Sequence, residues 1–286
     1  MSPFPIERVP LDAFPPLLYE IPQPPSHLYY RGTLPPLGMK LLCVVGSRRY
    51  TTYGKQAVEH LIGGLCGYPI GIVSGLALGI DSLAHEAALK NDLYTLAVPG
   101  SGIDDEVIYP ASHKPLARRI LESGGGLLSE YEPDFRATKW SFIQRNRIMA
   151  GLAGATLVIE AGERSGTLTT ARMASDYNRE LLVVPGSIFS ENSKGTHQFL
   201  KLGATPVTDA RDICEALGIE MAAQQSTQAA LSDPEAAIMA LLREPLHKDQ
   251  LAAHSGLPII EINVLLMQME FKGLIAGESG IYRRLI

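Results

Sequence analysis

Ser74-Gly75-Leu76-Ala77-Leu78-Gly79-Ile80-Asp81-Ser82-Leu83-Ala84-His85 sets small residues and two glycines between the apolar run Ile70–Val73 and the helix-forming stretch Ala84–Lys90. Where a strand hands over to a helix, unpaired backbone N–H groups and the positive end of the helix dipole point the same way. The chemistry they suit is anion binding, phosphate above all. Val45-Gly46-Ser47-Arg48 closes an earlier apolar run and adds a guanidinium that can fork onto a phosphate. Glu160-Ala161, followed by Ser165-Gly166-Thr167-Leu168-Thr169-Thr170-Ala171, repeats the strand-to-helix pattern further on.

A fourth stretch has different chemistry. Lys139-Trp140-Ser141-Phe142-Ile143-Gln144-Arg145-Asn146-Arg147 gathers three cations and two aromatics. A nucleotide needs both, because a base stacks on an aromatic face while its phosphate pairs with an arginine. On a helix Phe142 and Arg145 share a face and Arg147 points elsewhere. One of the two arginines is expected to be structural, pairing with Glu130 or Glu160.

Other chemistries lack their residues. There is no GxxxxGK[ST] loop, and Gly100-Ser101-Gly102 is not followed by the third glycine of GxGxxG. Asp81 and His85 lie four apart without a third metal ligand at a workable spacing, so His85 reads as a structural histidine and Asp81 as a helix cap. No catalytic residue, metal or cofactor is expected.

These motifs must be held by regular elements. Strands are predicted at Lys40–Val45, Ile70–Ser74, Tyr94–Val98, Gly126–Ser129, Thr156–Glu160, Leu181–Val184 and Ala204–Val207. Helices are predicted at Thr52–Leu65, Asp81–Lys90, Pro115–Glu122, Trp140–Leu152, Gly166–Asn178, Lys194–Leu202 and Asp209–Leu217. The alternation implies an α/β fold, a Rossmann-like, doubly wound, mostly parallel sheet over residues 39–218. Ligands on such sheets bind at the carboxyl ends of the strands, where every motif above falls. Residues 1–38, rich in proline, read as an arm packed on this domain, and 219–232 as a linker. Residues 233–286 read as a small winged helix: helices at Pro234–Leu242, Lys248–His254 and Pro258–Phe271, then a hairpin of Leu274–Ala276 and Ile281–Leu285 turning at Glu278-Ser279-Gly280. Ile259, Ile262, Leu265, Leu266 and Met269 supply the apolar face of its last helix.

Composition narrows the class. Hydrophobic residues make up 46% of the 286, enough for a sizeable core, and no apolar run reaches the roughly 18–20 residues of a membrane helix. Three cysteines, Cys43, Cys66 and Cys214, lack CxxC spacing and read as reduced, mostly buried thiols of a cytosolic protein. The net charge of −5 does not advertise a polyanion partner, and the last 68 residues carry −3 of it. Nucleic-acid contact therefore needs clustered arginines rather than bulk charge.

Taken together, Gly46-Ser47-Arg48, Ser74–Asp81, Lys139–Arg147 and the Ser165-Gly166-Thr167 turn resemble the DNA-processing protein A (DprA/Smf) family, from about residue 14 to the C-terminus. The resemblance implies a single-stranded DNA-binding protein that protects incoming strands during natural transformation and loads the RecA recombinase. It implies contacts from Ser47, Arg48, Ser74, Gly75, Lys139, Phe142, Arg145, Asn146, Arg147, Ser165 and Gly166. It also implies a homodimer formed by the late part of the sheet domain, with His197-Gln198-Phe199-Leu200 as the candidate surface. Leu78 stands where the family usually has arginine, and Ile143 where it more often has proline. The helical domain that precedes similar text in the family has no residues here. Two rivals are a phosphoribohydrolase-like nucleotide enzyme, whose acid–base glutamate would fall at Thr170, and a winged-helix transcription regulator, which needs a basic recognition helix.

Overall fold

Four short, almost uninterrupted apolar runs form the centre of the sheet, as strands covered on both faces must. They are β3 (Lys40–Val45), β4 (Ile70–Ser74), β5 (Thr95–Ala97) and β7 (Ala155–Val158), and only Lys40 among their residues is exposed. β6 (Gly126–Ser129), β8 (Glu180–Val183) and β9 (Thr205–Pro206) extend the parallel array on either side. The computed structural model describes residues 3–10, 13, 15–220, 232–278 and 280–284. It divides into two compact units, Met1–Met221 and Ala222–Ile286.

In the first unit β1 (Ile6–Arg8) and β2 (Tyr29–Gly32) complete a nine-stranded sheet of order β1-β2-β6-β5-β4-β3-β7-β8-β9. From β3 the chain winds outward through β4, β5 and β6, then crosses back to β7 on the other side. The order therefore reverses between β3 and β7, which opens a crevice at their carboxyl ends. Helices α1 (Thr52–Gly63), α2 (Ile80–Lys90) and α7 (Ala210–Ala216) flank the core built on Leu42, Val44, Ile72 and Leu157. On the opposite face α4 (Lys139–Leu152), α5 (Thr167–Asp176) and α6 (Lys194–Lys201) pack around Cys43, Val45, Val73 and Val158. α3 (Lys114–Glu122) closes a third cluster with Leu76, Ile103 and Leu127.

The N-terminal residues are more than the arm expected for 1–38. β2 pairs antiparallel with β6, β1 pairs with β2, and Leu18, Ile21 and Leu28 are buried in the core beside Ile148 and Leu152. The prolines between them hid this, since they break any long period while leaving two short edge strands possible.

The second unit holds α8 (Asp233–Leu241), α9 (Lys248–Ser255) and α10 (Ile259–Phe271), with β10 (Leu246–His247), β11 (Ile275–Glu278) and β12 (Ile281–Arg284) in the order β10-β12-β11. Its core is Ile238, Leu242, Leu251, Ile262, Leu266 and Met269. Ile259, expected in that core, is exposed, as are Ile260, Val264 and Met267. Ile262, Leu266 and Met269 recur three and four apart and carry the buried stripe of the helix, which leaves Ile259 in its first turn outside the core. Of the predicted hairpin turn, Ser279 lies outside the described residues, as do most of the expected linker and the last two residues of the chain.

Candidate nucleic-acid interface

Along the carboxyl edge the strand order lays the motifs out in a row: the β5 loop, then the ends of β4, β3, β7 and β8. α4 is fixed to this edge by its own cap. The Thr138 hydroxyl accepts from the Ser141 N–H at 3.1 Å and the Ser141 hydroxyl accepts from the Thr138 N–H at 2.9 Å. The same Ser141 hydroxyl lies 2.6 Å from the carbonyl of Gly100, to which it donates. The next residue, Phe142, packs against Gly100, where a Cβ would meet the ring at 2.4 Å. Above this ring the Arg48 guanidinium stands 5.8 Å from the centroid, within cation–π range. Arg48 is exposed, so this is an open aromatic-plus-cation platform.

Lys139 and Trp140 are exposed in the first turn of α4. A cation there opposes the helix dipole, so Lys139 contributes nothing to helix stability and is available to an external anion. Tyr109, absent from the sequence-based set, stands half exposed with its ring 5.5 Å from that of Phe142. The signal was an aromatic in a glycine- and proline-bearing loop after a strand, a place where apolar side chains have no core to enter.

Several expected contacts are built into the protein instead. Ser74 is buried and its hydroxyl donates to the Val44 carbonyl at 2.7 Å. The Gly75 N–H, expected to be open to phosphate, donates to the Asp81 carboxylate at 3.2 Å. Arg145 is 4% exposed and donates to the carbonyls of Gly75, at 2.6 Å, and Val98. It ties the ends of β4 and β5 together beneath the surface, with the buried Asp81 as its counter-charge. Burial pushes the Asp81 carboxyl up, with Arg145 and the Gly75 and Ala77 N–H groups pulling the other way. Asn146 is half-buried and accepts from the Arg145 Nε at 3.2 Å. Arg147 is buried against Glu130. Both arginines are therefore held by protein groups, where one was expected: they leave different faces of α4, Arg145 toward the ends of β4 and β5 and Arg147 toward Glu130 after β6.

The reversal crevice is likewise furnished from within. Glu160 is buried at the end of β7, and its carboxylate accepts from the Thr51 N–H at 2.9 Å and the Thr51 hydroxyl at 2.5 Å. It thus fills the anion position at the N-terminus of α1, where a nucleotide phosphate would sit in a dinucleotide-binding relative of this fold. Ser47 turns locally, donating to the Arg49 carbonyl and accepting from its N–H. Ser165 accepts from the Thr167 N–H at 3.2 Å, while the Thr167 hydroxyl donates to Gly46 at 3.0 Å. Gly166 is exposed, with open space around its Cα.

Beneath the row lie inert groups. His85 is buried with Nδ1 2.7 Å from the Thr95 hydroxyl, which also lies 3.1 Å from the Ile72 carbonyl. Burial lowers its pKa to about 3, and burial likewise pushes the Cys43 thiol up to about 12. Thr170 is 1% exposed and offers no group to the crevice.

Comparison with known proteins agrees along nearly the whole chain. The family model "DNA recombination-mediator protein A" matches residues 9–218, and the "DprA winged helix domain" model matches 221–280. Protein Smf of Escherichia coli is 35% identical over 97% of this chain and 77% of its own. The solved DNA processing protein A of Streptococcus pneumoniae is 39% identical with a TM-score of 0.69, covering 77% of this chain and 76% of that one. That of Helicobacter pylori, whose structure concerns its single-stranded DNA binding mode, is 30% identical with a TM-score of 0.67, covering 76% and 97%.

Proposed function

Since this chain belongs to the DNA-processing protein A (DprA/Smf) family, we propose that it binds single-stranded DNA along the carboxyl edge of its sheet and serves DNA uptake and recombination in the cytosol. The observation that carries this is Arg48 poised over the Phe142 ring, flanked by exposed Lys139, Trp140 and Tyr109. Aromatic faces address bases and cations address phosphates, which all strands share. Among the expected contacts, Arg48, Ser47, Phe142, Lys139, Ser165 and Gly166 meet the strand. Ser74, Gly75, Arg145, Asn146 and Arg147 hold the platform. A gel shift comparing single-stranded and duplex oligonucleotides at two salt concentrations, with Arg48→Glu as control, tests the reading. Tight single-strand binding lost in the variant supports it, and equal binding by both proteins refutes it.

Loading of RecA and a homodimer follow from the family relationship. Phe199 belongs to the core, so the dimer contact falls to its surroundings. Leu202 is 80% exposed there, beside a cleft of about 320 Å³ lined by Arg172, Asp176, Gly203 and Thr205. Sedimentation showing only monomer at tens of micromolar would sink the dimer.

A nucleotide hydrolase would need a free carboxylate in the crevice. Both Glu160 oxygens are engaged by Thr51, which favours a binding protein over an enzyme. Release of free base from nucleoside monophosphates would reverse that conclusion.

A further inference from the structure

Beyond the Arg48–Phe142 platform the same edge carries a second set of exposed aromatics. Tyr50 and Tyr53 are 43% and 47% exposed, and in the loop after β8 Ile188 and Phe189 reach 75% and 90%. Adjacent in one loop, Ile188 and Phe189 give the edge an apolar patch that a partner can cover. The two loops are fastened to each other. The Tyr53 hydroxyl donates to the Pro185 carbonyl at 2.6 Å, the Asn192 amide donates to the Arg49 carbonyl at 2.7 Å, and the Ser187 hydroxyl accepts from the Phe189 N–H at 3.2 Å. Between them lies a cleft of about 570 Å³, walled by Tyr53, Pro185, Gly186 and the hydroxyls of Ser187, Ser190 and Ser193, with Glu160 among its lining.

From these contacts we propose that this surface is a second subsite for the same strand, in which a base enters the Tyr53–Pro185 cleft, Phe189 stacks on a neighbouring base and exposed Arg49 takes the phosphate between. The proposal rests on the single-strand reading above. Three observations favour nucleic acid over a protein occupant. Arg49 directly follows Arg48, so the two subsites are continuous along one loop. The cleft has room for a base, with Tyr53 and Pro185 as an apolar wall for its face and three serines for its polar edge. The buried Glu160 carboxylate behind the cleft, already held by Thr51, is a negative charge that turns a phosphate away and so orients the strand base-inward. The distance also fits. β5 to β8 spans four strand spacings, roughly 19 Å, which at about 3.4 Å per stacked nucleotide is room for five or six.

The test compares thymine oligonucleotides of about three nucleotides, too short to span the roughly 19 Å to the second subsite, and of about twenty, on the intact chain, on Arg49→Glu/Phe189→Ala, and on Arg48→Glu. Both residues of the double variant are exposed, so its fold and sedimentation should be unchanged. It should lose about tenfold or more for the long oligonucleotide and less than threefold for the short one, in line with one lost stacking contact and one phosphate pair. Photo-crosslinking of 5-iodouracil placed at successive positions should label the peptides containing Tyr53 or Phe189. Equal affinities of the double variant and the intact chain for the long oligonucleotide, or no label on those peptides, overturns the proposal. So does a change in sedimentation with binding untouched, since the surface would then be a protein contact. Failure of Arg48→Glu to weaken even the short oligonucleotide would instead refute the single-strand reading itself.

Discussion

Arg145 and Gly75 are complementary: a Cβ at position 75 would meet the Arg145 guanidinium at 2.4–2.6 Å, while the Gly75 carbonyl accepts from it at 2.6 Å. Only glycine leaves the room. Gly75→Ala should therefore cost about 1–3 kcal/mol by overpacking. Arg145→Ala should cost about 2–4 kcal/mol, because it strips the buried Gly75 and Val98 carbonyls of their donor and removes the nearby cation from buried Asp81. Denaturant unfolding of both variants measures this. Arg145→Ala matching the parent in stability but failing to bind DNA would make the arginine a ligand after all.

Arg48 should behave in the opposite way. It is exposed, so Arg48→Glu should leave stability within about 0.5 kcal/mol while weakening single-strand binding strongly, through one lost phosphate pair and added repulsion. The dependence of log affinity on log salt should also become shallower, by about 0.7 for that phosphate. Fluorescence anisotropy titrations across a salt series give both numbers.

Sequence tolerance is expected of such a platform. Phe142, Tyr109 and Trp140 offer aromatic surface, which every base can stack on, and Arg48 and Lys139 recognise charge. Thymine homopolymers and mixed sequences should bind within about tenfold of one another. A wider spread in competition titrations would mean that base edges are being read.

The protonation state of His85 gives a pH test. Its pKa is about 3 when folded and near 6.5 when unfolded, chiefly because burial disfavours the charged imidazolium. Between these values the unfolded chain binds the extra proton, so the stability His85 contributes is complete above about pH 6.5 and falls as the pH drops toward 3. His85→Gln should flatten that fall between pH 7 and 4 relative to the parent. Thermal melts that run parallel for the two proteins would exclude His85 as the source.

Much of this was legible before any coordinates. The parallel strands announced themselves as short, largely apolar runs alternating with helices, Arg48 as the cation that closes the first of them, and Phe142 as an aromatic within a basic stretch. What sequence could not tell was depth. Ser74, Gly75 and Arg145 have the residue types of a phosphate site, yet Val44 takes the serine's proton, Asp81 the glycine's N–H and two carbonyls the guanidinium. Those partners come from other strands and loops, and no local spacing reveals them. Tyr109 and Phe189 were missed for the converse reason, since exposure is a property of the assembled edge.

The winged helix should not read duplex DNA. A recognition helix draws most of its affinity from phosphate contacts made by lysine and arginine. α10 has none; its outer side carries Ile260, Glu261, Val264 and Met267, all exposed. Lys272, just beyond it, lies 2.6 Å from the Glu235 carboxylate, which also accepts from the Ser232 N–H at the start of α8. The other lysines and arginines of residues 219–286 are Arg243, Lys248, and Arg283 and Arg284 on β12, none of them on α10, against a net charge of −3. Deleting residues 225–286 should therefore leave single-strand affinity within a few-fold of the intact chain, and the intact chain should show no duplex sequence preference in a binding-site selection. A hundredfold loss of single-strand affinity on deletion, with Met1–Met221 still giving a cooperative melt, would assign the wing to DNA.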